Sequence, residues 1–238
     1  YELPPFVDEN SLVFAVSYSG NTEETIAAFK QALERKSQII VMTSGGELRA
    51  LAAQQGIPLI ELPKGLPPRM AMGYLFMPLL KTVCKFTSLN GEVQEALSVL
   101  KKLSAIYANA PNQENPAKQL ARLWHGKLPI SYGSQHLTDV IAYRWKTQIN
   151  ENAKAPAFAG VLPELNHNET VGWENHELQK FFIYNLLRDK GEHQRVSKRF
   201  ELCKEILQAS NSTVCEWAGE GEGLLARLLS LSYLGDWA

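Results

Sequence analysis

The stretch LVFAVSYSGNTEET, residues 12–25, predicts a strand, a loop and a helix in direct succession. Its apolar beginning, rich in Val and Phe, is typical of a buried strand. The polar loop after it carries Ser17, Ser19 and Thr22, and the acidic pair that follows suits the first turn of a helix. Hydroxyl groups and free backbone N–H groups at a helix N-terminus are what a phosphate monoester requires. The stretch therefore indicates an anion cradle, although an ordinary capped helix after a buried strand has the same pattern.

The rest of the chain alternates strand and helix patterns around this stretch. Apolar runs typical of strands occur at residues 38–43, 57–62, 127–132, 181–186 and 212–217. Helical patterns occur at residues 21–35, 47–55, 69–86, 90–108, 116–124, 137–150, 192–208 and 224–234. This alternation predicts an α/β fold of βαβ units with parallel sheets. The connection ANAPNQENP, residues 108–116, predicts a boundary between two halves, residues 1–109 and 110–238.

The composition is that of a globular protein. Of the 238 residues, 45% are hydrophobic, which allows one large or two small domains. The net charge is −1, so we expect no nucleic-acid partner and no attraction to an anionic membrane. The sequence contains no run of about 18 apolar residues, so no membrane span is predicted.

The three cysteines, Cys84, Cys203 and Cys215, are widely spaced and form no paired motif. This pattern argues against a disulfide framework and against a structural zinc site, and it favours a cytoplasmic location. The chain opens on Tyr1 rather than Met, and it closes at Ala238 within an apolar helical pattern that lacks a stop signal. We therefore expect a piece trimmed at both ends.

Residues 151–174 predict one long irregular connection, because prolines, glycines and asparagines interrupt every period. Long irregular loops in compact domains are often functional. Glu151 and His167 provide a carboxylate and an imidazole that can act as base and acid on one substrate. Alternatively, Glu151 is a solvated charge at a helix end, and His167 is a loop histidine bonded to the backbone.

Arg69 follows a double proline at the head of a predicted helix, where the helix dipole favours an anion over a cation. The mismatch indicates that this guanidinium meets a ligand or a carboxylate. The alternative is a surface arginine whose stem covers apolar neighbours.

Several motifs, in order along the chain, resemble one family. Residues 17–25, SYSGNTEET, resemble the phosphosugar-binding signature of sugar isomerase (SIS) domains. Residues 67–69 (PPR), 150–154 (NENAK) and 166–169 (NHNE) resemble the bifunctional phosphoglucose/phosphomannose isomerases of the phosphoglucose isomerase superfamily. The resemblance covers nearly the whole chain and implies two SIS-type halves, each a three-layer αβα sandwich. Members of that family have a Gly-Gly-Ser phosphate turn upstream of Tyr1 and further active-site groups, a threonine and a lysine, beyond Trp237.

The resemblance also implies roles for individual residues. Ser17, Ser19 and Thr22 would hold the sugar phosphate. Glu151 would move a proton between C1 and C2, and Arg69 would stabilise the enediolate oxygen. His167 would open the sugar ring and, as in relatives, would come from the neighbouring subunit of a homodimer. The reaction would require no metal and no organic cofactor.

The leading hypothesis is an aldose–ketose isomerase that interconverts glucose 6-phosphate, and plausibly mannose 6-phosphate, with fructose 6-phosphate through an enediol(ate). A second hypothesis is a phosphosugar-binding SIS module without turnover. A third, a SIS transferase such as the isomerase half of an amidotransferase, does not explain the segments around Glu151 and His167.

Overall fold

The computed structural model describes residues 1–85 and 89–238, and its contacts divide the chain into two compact units, Tyr1–Ser88 and Leu89–Ala238. In the described residues, no helix combines the length and the apolar character that a membrane crossing requires.

The first unit is a three-stranded parallel sheet with helices on both faces. Its strands are β1 (Leu12–Val16), β2 (Gln38–Thr43) and β3 (Leu59–Glu61), in the order β1-β2-β3. Its helices are α1 (Glu23–Glu34), α2 (Gly46–Gln54) and α3 (Met72–Val83). Val41 packs with Phe29 and Leu48 in one apolar cluster, whereas the next residue, Met42, packs with Leu62 in another. Consecutive residues of a strand face opposite sides, so a strand that is covered on both sides reads as a continuous apolar run.

The second unit is a four-stranded parallel sheet. Its strands are β4 (Leu128–Ser134), β5 (Phe158–Leu162), β6 (Phe182–Arg188) and β7 (Thr213–Ala218), in the order β5-β4-β6-β7. Its longer helices are α4 (Asn90–Asn109), α5 (Pro116–Trp124), α6 (Asp139–Gln148), α9 (Gln194–Ala209) and α10 (Leu224–Trp237); α7 (Glu169–Gly172) and α8 (His176–Gln179) are single turns. One face buries Trp145 against α5 and α10, and the other buries Tyr132 and Phe200. The parallel α/β character predicted from the sequence is confirmed.

The prediction of one irregular connection over residues 151–174 was wrong in its middle. β5 occupies Phe158–Leu162 and pairs in parallel with β4, from Ile130↔Phe158 to Ser134↔Leu162. This strand is short and contains Gly160, and glycine is disfavoured in strands. The segment is recognised as a strand only from its pairing with β4.

Other predicted boundaries also shifted. Residues 69–86 do not form one helix: a 3₁₀ turn at Pro68–Met70 precedes α3, and residue 86 lies outside the described residues. The strand predicted over residues 127–132 is β4, which begins at Leu128 and continues through Gly133 to Ser134. The helix predicted over residues 137–150 is α6, followed by a π-helical turn at Ile149–Ala153.

α4 belongs to the second unit. The Glu95 carboxylate on α4 accepts hydrogen bonds from the backbone N–H groups of Glu222 and Gly223, just before α10. The compact units therefore divide before α4, whereas the predicted boundary falls after it, at residue 109. That the two halves are SIS-type domains stays a prediction.

Candidate active site

The three predicted phosphate-binding hydroxyls lie together on the loop between β1 and α1. The Oγ of Ser17, which is buried, lies 2.8 Å from Oγ1 of Thr22 and accepts a hydrogen bond from the Gly20 N–H at 3.1 Å. The Oγ of Ser19 accepts from the Asn21 N–H at 3.2 Å. The loop is therefore ordered by its own hydroxyls, and they lie at the carboxyl end of a parallel strand, where α/β folds bind ligands.

The N-terminus of α1 is not capped by the side chain at its first position. Thr22 is the N-cap residue, with an extended backbone, but its hydroxyl makes no capping hydrogen bond and lies against Ser17 instead. Helix N-termini without a side-chain cap have N–H groups free to meet an anion. The start of α1 is therefore not capped by a side chain, and its geometry is compatible with an anion cradle.

A second loop, after β2, is hydrogen-bonded to the loop between β1 and α1. Its Ser44 Oγ donates to the Tyr18 carbonyl at 2.7 Å, and the Leu48 N–H donates to the Gly20 carbonyl at 2.9 Å. Sequence reasoning treated residues 44–46 only as a break between elements. The signal that could have found this contact is the order of elements, because the carboxyl ends of neighbouring parallel strands meet at one edge of a sheet.

Gly20 packs closely against the second loop. Its φ is +72°, and a Cβ there would lie 1.9 Å from the Gly45 carbonyl oxygen. A side chain at this position would meet both backbone strain and a backbone clash.

We therefore expect Gly20→Ala to destabilise the first unit by about 2 kcal/mol or more, because a left-handed non-glycine residue and an overpacked contact each cost on the order of 1–3 kcal/mol. Hydrogen exchange in peptides that cover β1 and α1 measures the effect. Gly56→Ala is the matched control, because Gly56 has a φ of +64° and open space around its Cβ position. Equal protection in both variants would show that the contact with Gly45 carries no strain.

Arg69 lies in the first unit, half-buried in the 3₁₀ turn Pro68–Met70 rather than at the head of a long helix. The loop before it is fastened to the cradle by Tyr18. The Tyr18 hydroxyl donates to the Pro63 carbonyl at 2.7 Å and accepts from the Leu66 N–H at 2.9 Å. The sequence analysis assigned no role to Tyr18. The feature that could have indicated one is its position between the candidate residues Ser17 and Ser19.

Glu151 lies on the π-helical turn that extends α6. Such turns occur often at functional sites. Its side chain is exposed, and within the described part of the chain its carboxylate makes no hydrogen bond and no ion pair. The turn is held by the Asn150 Nδ2, which donates to the Ala155 carbonyl at 2.9 Å. The turn thus presents a carboxylate to solvent, which is compatible with a base and with a solvated charge.

His167 ends a 3₁₀ turn, Glu164–His167, in the same unit. It is exposed, and its imidazole has no hydrogen-bond partner in residues 1–85 and 89–238. A loop histidine bonded to the backbone, the alternative interpretation, is therefore not what the structure contains.

The structure brings Ser17, Ser19 and Thr22 together on one loop and ties the Arg69 loop to it through Tyr18. Glu151 and His167 lie on separate elements of the second unit. Among the residues described, no group of three His, Cys, Asp or Glu side chains is arranged to hold a metal ion.

Comparisons with known proteins identify the family. The family model described as "Bacterial phospho-glucose isomerase C-terminal SIS domain" matches residues 113–238, and the SIS domain model matches residues 3–55. A bifunctional phosphoglucose/phosphomannose isomerase of Caldicellulosiruptor bescii is 43% identical over 100% of this chain and 71% of its own length. Its counterpart in Aquifex aeolicus is 40% identical, with the same coverage.

A crystal structure of a hypothetical protein from Thermus thermophilus shares the fold, with a TM-score of 0.73 at 18% identity. The match covers 95% of this chain and 64% of that protein. The fold, the two family models and the full-length similarity agree, and the chain belongs to the family of bifunctional phosphoglucose/phosphomannose isomerases.

Proposed function

We propose that this chain is a sugar-phosphate isomerase that interconverts glucose 6-phosphate and mannose 6-phosphate with fructose 6-phosphate. The observation that carries the proposal is the 43% identity over the full chain to a protein of that name. All three substrates carry a phosphate group, so the cluster of hydroxyls at Ser17, Ser19 and Thr22 supports the proposal.

The proposed chemistry is a proton transfer between neighbouring carbons. The hydroxyls of the cradle and the N-terminus of α1 hold the phosphate dianion. Glu151 removes the proton from C2 of the open-chain aldose and returns it to C1, while the hydroxyl proton moves from O2 to O1. Arg69 stabilises the negative charge that develops on the enediolate oxygen.

His167 acts before this step in the proposed mechanism. An imidazole can give a proton to the ring oxygen as the bond between C1 and that oxygen breaks, while the O1 hydroxyl gives up its proton to solvent and C1 becomes the aldehyde carbon. Ring closure reverses both proton transfers. The His167 side chain is exposed, and its ring has no hydrogen-bond partner in the described part of the chain; both observations are compatible with that role. Because C2 is planar in the enediolate, returning the proton to one face or the other produces the glucose or the mannose configuration.

The proposal includes a homodimer in which His167 reaches the site of the partner subunit, a cytoplasmic location, and two SIS-type halves with αβα layers. The motif NHNE at residues 166–169 supports the shared site through its resemblance to the family. The two family models, at residues 3–55 and 113–238, support the division into SIS-type halves.

We expect the purified chain to convert glucose 6-phosphate and mannose 6-phosphate to fructose 6-phosphate in a coupled assay, and Thr22→Val to raise KM. The rise should be about tenfold or more, because a hydrogen bond to a charged group contributes about 1.5–3 kcal/mol. Thr82→Val is the matched control, since the Thr82 hydroxyl bonds the Pro78 carbonyl within α3. Binding of the sugar phosphates without any turnover would instead favour the phosphosugar-binding module.

A further inference from the structure

The segment that carries His167 is anchored on one side by α9. We call residues 164–172 the histidine segment. Its Asn166 donates through Nδ2 to Sγ of Cys203 at 3.1 Å and accepts through Oδ1 from Arg199 at 3.1 Å. Within the segment, the Asn168 Nδ2 donates to the Glu164 Oε1 at 2.7 Å. The side chains next to His167 on both sides are therefore bonded, whereas the imidazole between them has no hydrogen-bond partner among the residues that the structure describes.

The other side of the histidine segment is anchored to the sheet by one hydroxyl. Tyr132 on β4 is 1% exposed, and its OH donates to Oε2 of Glu169 at 2.7 Å. Burial, and then the charge of Glu169, raise the pKa of Tyr132 well above its usual range. The phenol therefore stays protonated at neutral pH and donates to the Glu169 carboxylate.

A glycine on the neighbouring strand leaves space for the Tyr132 ring and the Glu169 carboxylate. Gly160 on β5 is the register partner of Tyr132. A Cβ at Gly160 would lie 2.8 Å from the Tyr132 ring and 2.9 Å from Oε1 of Glu169. A glycine inside a strand is typical of a close approach by another group, and here that group is the Tyr132–Glu169 pair.

The ring and the hydroxyl of Tyr132 have separate partners. The ring packs against Trp173 and Tyr184, with centroids 6.1 Å and 5.7 Å away. The neighbouring Tyr184 sends its own hydroxyl elsewhere, to the Gln179 Oε1 at 2.8 Å. Removal of the Tyr132 hydroxyl alone therefore leaves the packing of the ring in place and releases Glu169.

We propose that Tyr132 is a positioning residue for His167, which it holds in place through Glu169. Glu169 begins α7 two residues after His167, which ends the preceding turn, so anchoring Glu169 limits the positions that the backbone carrying His167 can take. The inference rests on the proposed function, in which His167 opens the sugar ring. A general acid held in one orientation transfers its proton faster than one that samples many.

We expect Tyr132→Phe to lower kcat with cyclic glucose 6-phosphate by about 10-fold to 100-fold, because small displacements of a catalytic group cost that much. KM should stay nearly unchanged, because no phosphate-binding group is touched. Tyr184→Phe is the matched control: it also removes a buried, bonded hydroxyl from the same aromatic cluster, and it should retain kcat. If the two variants lose activity equally, Tyr132 has only a structural role.

A double-mutant cycle tests the route through Glu169. Glu169→Ala should lower kcat as much as Tyr132→Phe, and the double variant should lose no more than either single variant. Glu169→Gln keeps an oxygen that accepts from the Tyr132 hydroxyl, so it should retain most of the activity. Additive losses, or equal losses in the Gln and Ala variants, would overturn the proposal.

The imidazole resonances of His167, assigned by their loss in His167→Gln, give a readout that does not depend on turnover. They should shift in Tyr132→Phe and stay in place in Tyr184→Phe. If the chain isomerises no sugar phosphate, the proposed function is wrong. The His167 resonances alone then test whether Tyr132 positions His167. Unchanged His167 resonances in Tyr132→Phe would refute the positioning role.

Discussion

Replacement of Glu151 by glutamine is expected to lower kcat by about 10²–10⁴-fold, which is the usual contribution of a positioned general base. The amide has nearly the shape of the carboxylate but cannot accept the C2 proton. The Glu151 carboxylate has no hydrogen-bond or ion-pair partner in the described residues, so its loss leaves no other group unpaired and stability should change little. Initial rates with glucose 6-phosphate, together with an unfolding curve, measure the two effects.

Substrate binding should survive this replacement, because the proposed phosphate cradle lies in the first unit and Glu151 in the second. We expect a dissociation constant for fructose 6-phosphate close to that of the unmodified chain. Glu174→Gln is the matched control, since Glu174 is another exposed glutamate of the second unit. Wild-type kcat in Glu151→Gln would remove Glu151 from the mechanism.

Asp189→Ala is expected to destabilise the second unit by about 3–5 kcal/mol, the cost of leaving one charge of a buried pair without its partner. Arg227 donates through Nε to Oδ2 of Asp189 at 2.7 Å and through Nη2 to Oδ1 at 3.1 Å, and both side chains are buried. Urea unfolding followed by tryptophan fluorescence measures the loss. All tryptophans lie in the second unit, so the signal reports on that unit: Trp124, Trp145, Trp173, Trp217 and Trp237.

The double variant Asp189→Ala/Arg227→Met is the control for this pair. Removing both charges leaves neither unpaired, so the double variant should recover part of the stability that the single variant loses. A double variant less stable than Asp189→Ala would show that the loss comes from packing rather than from the unpaired guanidinium.

The same pair gives the second unit a dependence on acid. Burial by itself would raise the pKa of Asp189, but hydrogen bonds from Arg227 and from the Gly191 N–H outweigh it and hold the pKa below its usual value. A carboxyl whose pKa is lowered by folding stabilises the fold fully above its unfolded pKa, about 3.9. That contribution is lost as the pH falls through the lower folded value. Asp189→Asn should therefore be less stable than the unmodified chain near neutral pH, with the difference shrinking in acid.

Local periodicity predicted most of the elements but failed where an element depends on a distant partner. Residues 38–43 and 116–124 were predicted with the bounds that β2 and α5 have, because their apolar patterns and flanking turn residues are strong. β5 was missed, because FAGVL is only five residues long and has Ala159 and Gly160, two residue types depleted in strands, at its centre. Its pairing with β4 and the space that Gly160 leaves for Tyr132 stabilise it.

The site residues also divide into those that the sequence identified as candidates and those that only the structure identified. The residue types, and the resemblance of their motifs to the family, led to one set of candidates whose roles stay predictions: Ser17, Ser19, Thr22, Arg69, Glu151 and His167. The anchors around them, Tyr18 for the Arg69 loop and Tyr132 for the histidine segment, are far in sequence from the groups they hold. The sequence by itself determined the parallel α/β class and the chemical groups available. Only the tertiary structure decided which hydroxyl holds which loop, because hydrogen bonds between distant residues leave no periodic signal in the chain.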